Sequence, residues 1–269
     1  MSQVVLAGVG DLNRRVARRL LANGQTVAGL RRSEEDPGLG FAQHSLDLSE
    51  QLWPDTGAQT VIVALSAPER TSDGYYRGYV APMLWLKRSL EQWQHLPERI
   101  IVVGSSRVYG VDDGRELTEH SPIEPADWAG ERLAEMESAV DALPVQSCVA
   151  RLSGIYGPGR DWLRRMARAA TERPPERNHW TNRIHIEDAA AALVHLMTVE
   201  ALPTRMVVSD RQPTPLFDVL NYLREQDGLP ALVAPEVDGG KRLLSDRLQQ
   251  SGFKWQFPDY KSGGYSATA

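Results

Sequence analysis

The sequence predicts an α/β fold: a doubly wound parallel sheet with a smaller C-terminal lobe on the substrate side. Within residues 1–153, apolar runs typical of buried strands alternate with stretches of helical spacing. The strand-like runs are 3–7, 26–30, 60–65, 99–104 and 145–152, and the helical stretches are 14–23, 75–94 and 125–142. Alternation at this interval favours parallel strands joined by helical crossovers that cover both faces of the sheet.

The composition of the chain changes after residue 153, where proline and glycine become frequent and the helical patterns become shorter. Further helices are predicted at 162–170, 187–197, 215–226 and 241–250, with a strand at 205–209. We therefore predict two domains. Residues 1–153 form the sheet domain, and residues 154–269 form a smaller lobe that is interleaved with the last strands of the sheet.

Bulk composition excludes several classes of protein. A net charge of −5 over 269 residues gives no basic footprint for nucleic acid, and no apolar run is long enough for a membrane-spanning helix. The single cysteine, Cys148, lies in an apolar strand pattern and is expected to be a buried reduced thiol. With no signal-peptide pattern at the start, a cytoplasmic protein is expected, acting on a small molecule as a monomer or homodimer.

Metal-dependent chemistry is not expected. The six histidines are scattered, and none of them lies in an HExxH motif or at another spacing typical of metal ligands. No G-x-S-x-G elbow is present either, so a serine hydrolase of that type is excluded.

The first strand ends in a glycine turn, Gly8-Val9-Gly10, and a helical pattern begins directly after it. Glycine permits a sharp turn and a close approach of backbone to ligand, while a helix N-terminus offers free N–H groups to an anion. The pattern is G-x-G-x-x-N, with Asn13 where a dinucleotide fingerprint usually has Gly or Ala. It therefore predicts a Rossmann-type NAD(P)-binding domain over residues 1–153.

The end of the second strand indicates which dinucleotide is bound. An NAD-type site has an acid there for the ribose 2′-hydroxyl, whereas this chain has Arg31 and Arg32. An arginine fork suits a 2′-phosphate, so NADP(H) is predicted in preference to NAD(H). The acids at 34–36 lie just beyond, and a slip in register would bring one of them back to the strand end.

The fourth strand-like run ends in hydroxyl-bearing residues, Ser105, Ser106 and Tyr109. Such groups at the carboxyl end of a central strand can hydrogen-bond a reacting carbonyl or alcohol. They can equally cap the strand-to-loop turn, and position alone does not choose between the two interpretations.

Four segments together resemble a known family: the GxGxxN start, SSRVYG (105–110), RLSGIYGPG (151–159) and RIHIEDAAAAL (183–193). In this order they resemble the extended short-chain dehydrogenase/reductase superfamily, in particular the NAD-dependent epimerase/dehydratase family. The resemblance covers nearly the whole chain. It implies an NAD(P)-binding Rossmann domain, a C-terminal lobe that closes over substrate, and epimerisation, dehydration or reduction, often of nucleotide sugars.

One departure bears on the chemistry. The family uses Tyr-x-x-x-Lys on the helix that follows the SSxxVYG strand, and the register of neighbouring residues places Trp128 and Arg132 at those positions. Tryptophan has only an N–H donor, and arginine stays protonated, so this pair cannot act as the Tyr–Lys proton relay. An intact cofactor frame without that pair resembles the atypical subgroup of the superfamily, such as YeeZ-like proteins.

The resemblance also implies roles for individual residues. Ser105 takes the place of the family's active-site hydroxyl, with Ser106 and Tyr109 beside it as further catalytic candidates. The cofactor contacts would come from Gly8, Gly10, Leu12 and Asn13 at the pyrophosphate, Arg31 and Arg32 at the adenosine ribose, Asp47 and Leu48 at the adenine, and Leu65, Ser66, Arg132 and Tyr156 toward the nicotinamide side.

Two functions are compatible with these residues. One is an NADP(H)-dependent oxidoreductase or epimerase/dehydratase-like enzyme with altered acid/base chemistry. The alternative is a catalytically inactive dinucleotide-binding sensor or regulatory protein. A methyltransferase that uses S-adenosylmethionine also has a glycine turn after its first strand, but usually has an acid where this chain has Arg31.

Overall fold

A computed structural model describes residues 4–262 and Tyr265 of the protein. Its strands are β1 (Val4–Ala7), β2 (Val27–Arg31), β3 (Ala42–Ser45), β4 (Thr60–Val63), β5 (Arg99–Ser105), β6 (Glu116–Leu117), β7 (Gln146–Leu152), β8 (Gly154–Tyr156), β9 (Asn178–Thr181), β10 (Arg183–His185), β11 (Arg205–Val208), β12 (Thr214–Pro215), β13 (Val237–Gly240) and β14 (Arg242–Leu243). They include the six that the sequence predicts, which are β1, β2, β4, β5, β7 and β11.

The helices lie mainly between these strands. They are α1 (Asp11–Ala22), α2 (Ser72–Tyr75), α3 (Ala81–Leu90), α4 (Trp128–Asp141), α5 (Trp162–Ala169), α6 (Ile186–Leu196), α7 (Leu216–Gln226) and α8 (Asp246–Gln250). A π-helix (Tyr76–Val80) joins α2 to α3, so the helical stretch predicted at 75–94 begins earlier, ends earlier and is not one regular helix. The helix predicted at 241–250 is wrong in its first half, where β14 is found instead.

Seven strands form the main sheet in the order β11-β7-β5-β4-β1-β2-β3. The central pairs are parallel: Val4 on β1 lies opposite Val27 on β2 and opposite Thr60 on β4. The chain builds outward from β1 to β3, then returns to place β4 on the other side of β1. This confirms the predicted doubly wound sheet. Such a reversal marks the sheet edge where ligands bind in open α/β folds.

The apolar strand runs are buried because the sheet is covered on both faces. All four residues of β1 and all four of β4 are buried. β3 differs, since only Gln43 of its four residues is buried, as expected of an edge strand.

The chain divides into two compact units. The first unit comprises residues 1–110, 122–151 and 190–206, and the second comprises 111–121, 152–189 and 207–269. The division at 151/152 falls close to the predicted boundary at 153. The sequence prediction put segment 111–121 in the first domain and segment 190–206 in the second. In the structure, segment 111–121 belongs to the second unit and segment 190–206 to the first.

No helix within the described ranges is both long and apolar enough to cross a bilayer.

A buried charge network stabilises the first unit. Arg151 on β7 makes two hydrogen bonds to the carboxylate of Glu137 on α4, at 2.8 Å and 2.6 Å. The side chains of Arg151 and Glu137 are only 3% and 1% exposed, so each charge depends on the other. Arg205 also contacts the Glu137 carboxylate, at 2.8 Å, and pairs with Asp141 nearer the surface.

We expect Glu137→Ala to lower the free energy of unfolding by about 3–5 kcal/mol, because it leaves the Arg151 guanidinium buried without its counter-charge. Urea denaturation of wild type and variant measures the difference. Glu131→Ala, an exposed change on the same helix, is the matched control and should cost under about 1 kcal/mol. Equal losses in the two variants would contradict a special role for the buried pair.

Candidate functional site

The glycine turn at the end of β1 is a close packing point. Gly8 has a φ of +80°, and a Cβ there would overlap the backbone carbonyl of Ala64 in the loop after β4. Gly10 is the N-cap of α1; no side chain caps this helix, and a Cβ on Gly10 would project into open space. The turn therefore needs glycine at its first position, while the second leaves room for a ligand beside uncapped N–H groups.

The Asn13 side chain stabilises this turn through hydrogen bonds to the backbone. Its side chain is fully buried, and the Nδ2 group donates to the carbonyl oxygens of Gly8 at 2.8 Å and Ala7 at 3.2 Å. The amide therefore fills the space that a fingerprint glycine or alanine would leave, and it fixes the loop. Any contact of Asn13 with a pyrophosphate would come from its backbone N–H, as for Leu12 in the same first turn of α1.

Arg31 is the last residue of β2, at the carboxyl edge of the sheet. Its guanidinium donates to the Ser33 hydroxyl from Nε at 3.0 Å and from Nη2 at 2.8 Å, and to the Gln43 side chain from Nη1 at 3.0 Å. Both partners are neutral. Arg32, next along the chain, is exposed.

The acids at 34–36 lie beyond the end of β2, whose last residue is Arg31. The carboxylate of Asp36 pairs with Arg14 at 3.3 Å and accepts a hydrogen bond from the backbone N–H of Gly38. No acid therefore stands at the strand end itself. Arg14 and Arg15, whose positive charges a bound anion would offset, each have a carboxylate partner within the protein. Arg14 pairs with Asp36, and Arg15 pairs with Asp11 at 3.0 Å.

The loop after β3 holds Asp47 and Leu48, the predicted adenine contacts. Burial acts to raise the pKa of Asp47, but hydrogen bonds from Ser49 and the positive charges of Arg32 and Arg77 outweigh it, and the pKa is lowered. Leu48 is buried, and its carbonyl accepts a hydrogen bond from the Trp53 indole at 3.0 Å.

Leu65 and Ser66 follow β4 and are partly exposed. The π-helix packs against the same loop, since a Cβ on Gly78 would lie 2.6 Å from the Cα of Ala67. Single-turn π segments are frequent at functional sites because they displace side chains from regular helical positions. Tyr76 and Tyr79 lie within the π-helix, and Tyr75 directly precedes it.

Ser105 and Ser106 lie at the end of β5 and are partly exposed. The Ser105 hydroxyl accepts a hydrogen bond from the backbone N–H of Arg107 at 3.2 Å and caps a short 3-10 helix (Ser106–Val108). Capping is therefore observed, and the hydroxyl proton of Ser105 is left available as a donor. Arg107 is held by Asp127, whose carboxylate it meets at 2.5 Å.

Tyr109 is placed differently from the two serines. It is fully buried in the first unit, where its phenol oxygen lies 2.5 Å from Nη1 of Arg151 and the Arg151 guanidinium stands 4.9 Å from the centre of its ring. The residue thus belongs to the buried charge network of Glu137. Burial leaves it without surface for a ligand in this conformation.

Trp128 and Arg132 begin helix α4 and face the tyrosines of the preceding helical segment. The Trp128 indole, 41% exposed, meets the Tyr75 ring edge-on at 5.1 Å, and Tyr75 meets Tyr79 at 5.2 Å. Arg132 lies 5.6 Å from the centre of the Tyr76 ring. Its Nε donates to Ser72 at 3.0 Å, and its Nη1 lies 2.5 Å from the Glu135 carboxylate.

Tyr156 is the one predicted site residue in the second unit. It is buried, stacks on Tyr265 with ring centres 4.3 Å apart, and donates its hydroxyl to the Asp259 carbonyl at 3.3 Å. Burial raises its pKa far above the ordinary value, so the phenol stays protonated. It is a core residue of its unit.

The same unit contains a buried carboxylate beside Tyr156. Asp210 is fully buried; one oxygen accepts from the Gln212 backbone at 3.2 Å, and the other has no hydrogen-bond partner within the described part of the chain. Burial raises the pKa of Asp210 to about 7, although the nearby Arg183 acts against the shift.

Metal ligands are not assembled in this fold, as far as residues 4–262 and Tyr265 go: they contain no group of three or more His, Cys, Asp or Glu side chains able to hold an ion.

Comparisons with known proteins find matches to this chain among solved structures. No protein-family model and no curated protein matches it. A Methylobacillus flagellatus protein described as an NAD-dependent epimerase/dehydratase matches at 35% identity over 99% of this chain and 97% of its own, with a TM-score of 0.84. A functionally unknown conserved protein from Silicibacter pomeroyi matches at 23% identity over 98% and 96%, with a TM-score of 0.75.

A third structure, MoeE5 in complex with UDP-glucuronic acid and NAD, is 19% identical over 95% of this chain and 94% of its own, with a TM-score of 0.75. At this identity, and at that of the Silicibacter pomeroyi protein, the likeness shows a shared fold.

Asp210 gives stability a pH dependence. Because its folded pKa of about 7 exceeds the ordinary 3.8, the folded protein keeps a proton that the unfolded chain releases. The free energy of unfolding should therefore fall as pH rises from about 4 through about 7, and level off above that. Asp210→Asn, neutral throughout, should flatten this part of the profile and be the more stable form at about pH 8.

Urea denaturation at several pH values between about 5 and 8 tests this, with exposed Asp218→Asn as the control. A variant profile that runs parallel to the wild-type profile across this window would contradict the assignment to Asp210.

Proposed function

Because the chain belongs to the NAD-dependent epimerase/dehydratase family, as its full-length likeness to a 35%-identical structure shows, we propose that it binds NADP(H) at the carboxyl edge of the first unit's sheet. Bound there, the nicotinamide would supply hydride transfer. The substrate is a small molecule, and the chemistry is oxidoreductase-like or epimerase/dehydratase-like without a Tyr–Lys pair.

The glycine turn fits a dinucleotide pyrophosphate. Helix α1 starts directly after Gly10 without a side-chain cap, so its first N–H groups face outward unbonded by the helix itself. The open space beside Gly10 admits a ligand to those groups. A helix of 12 residues also presents a partial positive charge at this end, which favours phosphate.

The observation that carries the NADP(H) preference is the state of Arg31. It stands at the end of β2, where a ribose-binding acid would be, and its bonds go to a hydroxyl and an amide. Asp36, one of the acids that follow β2, is engaged with Arg14. Arg31 therefore keeps its full charge for a 2′-phosphate, and Arg32 adds a second, exposed cation.

At the reaction end of the proposed site, serine hydroxyls take the role that a tyrosine phenol has in the family. We assign Ser105, with Ser106 beside it, to hydrogen-bond the reacting carbonyl or alcohol, because both lie at the end of β5 and are partly exposed. Tyr109 is assigned a supporting role through its contact with Arg151. Arg132 would keep a positive charge near the nicotinamide ribose, where the family has lysine.

A second candidate, a dinucleotide-binding protein without turnover, is favoured by Trp128 itself. The indole is 41% exposed at the position where the family has its acid/base phenol, and it cannot exchange a proton near neutral pH. Arg132 is in addition tied to Glu135 and Ser72.

Charge reversal at Arg31 tests the cofactor assignment. Arg31→Glu should weaken NADPH binding about 10- to 100-fold, since it replaces a charged donor by a repelling carboxylate, and should change NADH binding by less than about threefold. Titration followed by nicotinamide fluorescence measures both. Arg18→Glu, the same charge change at an exposed position of α1, is the control. Equal losses for both dinucleotides would exclude a 2′-phosphate contact.

Restoring the family pair tests the reaction end. Trp128→Tyr combined with Arg132→Lys should create oxidation or reduction of bound nicotinamide, visible at its absorbance band, with a panel of carbonyls and alcohols. The matched control is Trp128→Phe with Arg132→Lys, which restores the amine without the phenol. Similar rates in the two double variants would show that the phenol position is not what limits the chemistry.

A further inference from the structure

We infer that Gln43 on β3 is a positioning residue for 2′-phosphate recognition: it holds Arg31 in place and keeps the neighbouring acid off it. This inference rests on the proposed function, because it concerns how the same site discriminates NADP(H) from NAD(H). It adds a residue that has no place in the glycine fingerprint or the arginine pair.

Gln43 is nearly fully buried although it lies on the outer edge strand. Its amide oxygen accepts from Arg31 Nη1 and from the backbone N–H of Asp36, both at 3.0 Å. Its amide nitrogen donates to the Asp36 carbonyl at 2.8 Å and to the Phe41 carbonyl at 3.4 Å. The side chain is therefore fixed at both ends before any ligand arrives.

Parallel pairing explains how Gln43 reaches Arg31. Gly29 lies opposite Gln43 and Arg31 lies opposite Ser45 in the register of β2 against β3. Gln43 and Arg31 are thus offset by two residues on the same face, a diagonal that long side chains can span. A Cβ at Gly29 would be too close to Val9, at 2.8 Å from its Cγ2, and to Phe41, at 3.0 Å from its Cε2, but only in ordinary contact with Cγ of Gln43, at 3.6 Å.

The partners of Arg31 leave part of its fork free. A guanidinium has five N–H donors. Three bonds are made within the described residues, two to Ser33 and one to Gln43, so two donors on the Nη atoms are left for a ligand. A phosphate that binds this arginine contacts a side chain that the protein already holds in place, so binding costs less conformational entropy.

The side-chain amide of Gln43 also fixes the orientation of Asp36. Because Gln43 binds both the N–H and the carbonyl of Asp36, the backbone of that residue is held in one orientation, and its carboxylate lies on Arg14. An amide is suited to this place because it is neutral. A carboxylate there would meet the Arg31 guanidinium and cancel the charge that a 2′-phosphate needs.

The test compares two probes that differ only in the 2′-phosphate, 2′,5′-ADP and 5′-AMP, by isothermal titration calorimetry with the full chain. Gln43→Met keeps the length of the side chain but removes its bonds, and should lower the ratio of the two affinities about three- to tenfold. Gln43→Glu keeps the shape and the acceptor, and should lower the ratio by about tenfold or more.

Gln146→Met, the same change at an exposed residue of β7 on the far side of the sheet order, is the control and should leave the ratio unchanged. Affinity for 5′-AMP should stay within about threefold in all variants, because a general loss of structure would weaken both probes alike. If Gln43→Met does not fold, Gln43→Glu decides the question.

The outcomes separate the two levels of the argument. If wild type prefers 2′,5′-ADP and both Gln43 variants keep that preference, the inference about Gln43 is overturned while the proposed function stands. If wild type does not distinguish the probes, the proposed NADP(H) preference is itself wrong. A ratio that falls in both variants with 5′-AMP binding retained supports the inference.

Discussion

Close backbone packing at Gly8 is the constraint on which the polar edge of the first unit depends. No side chain fits there, since a Cβ would overlap the Ala64 carbonyl and approach Leu65, so the end of β1 and the loop after β4 lie against each other. Asn13 fixes the same turn from beneath. The loop after β4 in turn packs on Gly78 of the π-helix, which brings the neighbouring tyrosines to Trp128 and Arg132. Two glycine contacts therefore connect the turn that we propose to bind pyrophosphate with the aromatic segment beside Trp128.

Charge pairing makes Arg31 stand out against its surroundings. Several arginines of this unit have a carboxylate partner: Arg14 with Asp36, Arg15 with Asp11, Arg107 with Asp127, Arg132 with Glu135 and Arg151 with Glu137. Arg31 instead has the Ser33 hydroxyl and the Gln43 amide. Neutral partners orient a guanidinium without reducing its charge, whereas a carboxylate does both. The difference is the physical basis for expecting an external anion at Arg31 rather than at these five paired arginines.

The sequence was sufficient for six of the seven strands of the main sheet, but not for β3 or for several features of the site. Runs such as 60–63 and 99–104 are apolar because both faces of a covered sheet are buried, and that pattern is local. β3 was missed because an edge strand with one buried residue has no such pattern, and Gln43 was missed with it. The burial of Tyr109 depends on Arg151 and Glu137, which are distant in sequence, so no local signal distinguished it from Ser105. The assignment of 111–121 and 190–206 to their units is equally non-local.

An indole where the family resemblance predicts a phenol would separate binding from chemistry within the proposed site. Trp128 keeps an aromatic ring against Tyr75, and Arg132 keeps a cation one helical turn later, so shape and charge at the start of α4 are retained. Only the exchangeable proton is lost. In the proposed binding mode, the glycine turn and the arginines hold the adenosine end of the dinucleotide and do not need that proton. Dinucleotide binding as we propose it therefore needs no proton from position 128, and the partly exposed hydroxyls of Ser105 and Ser106 are the groups to which we assign any proton transfer.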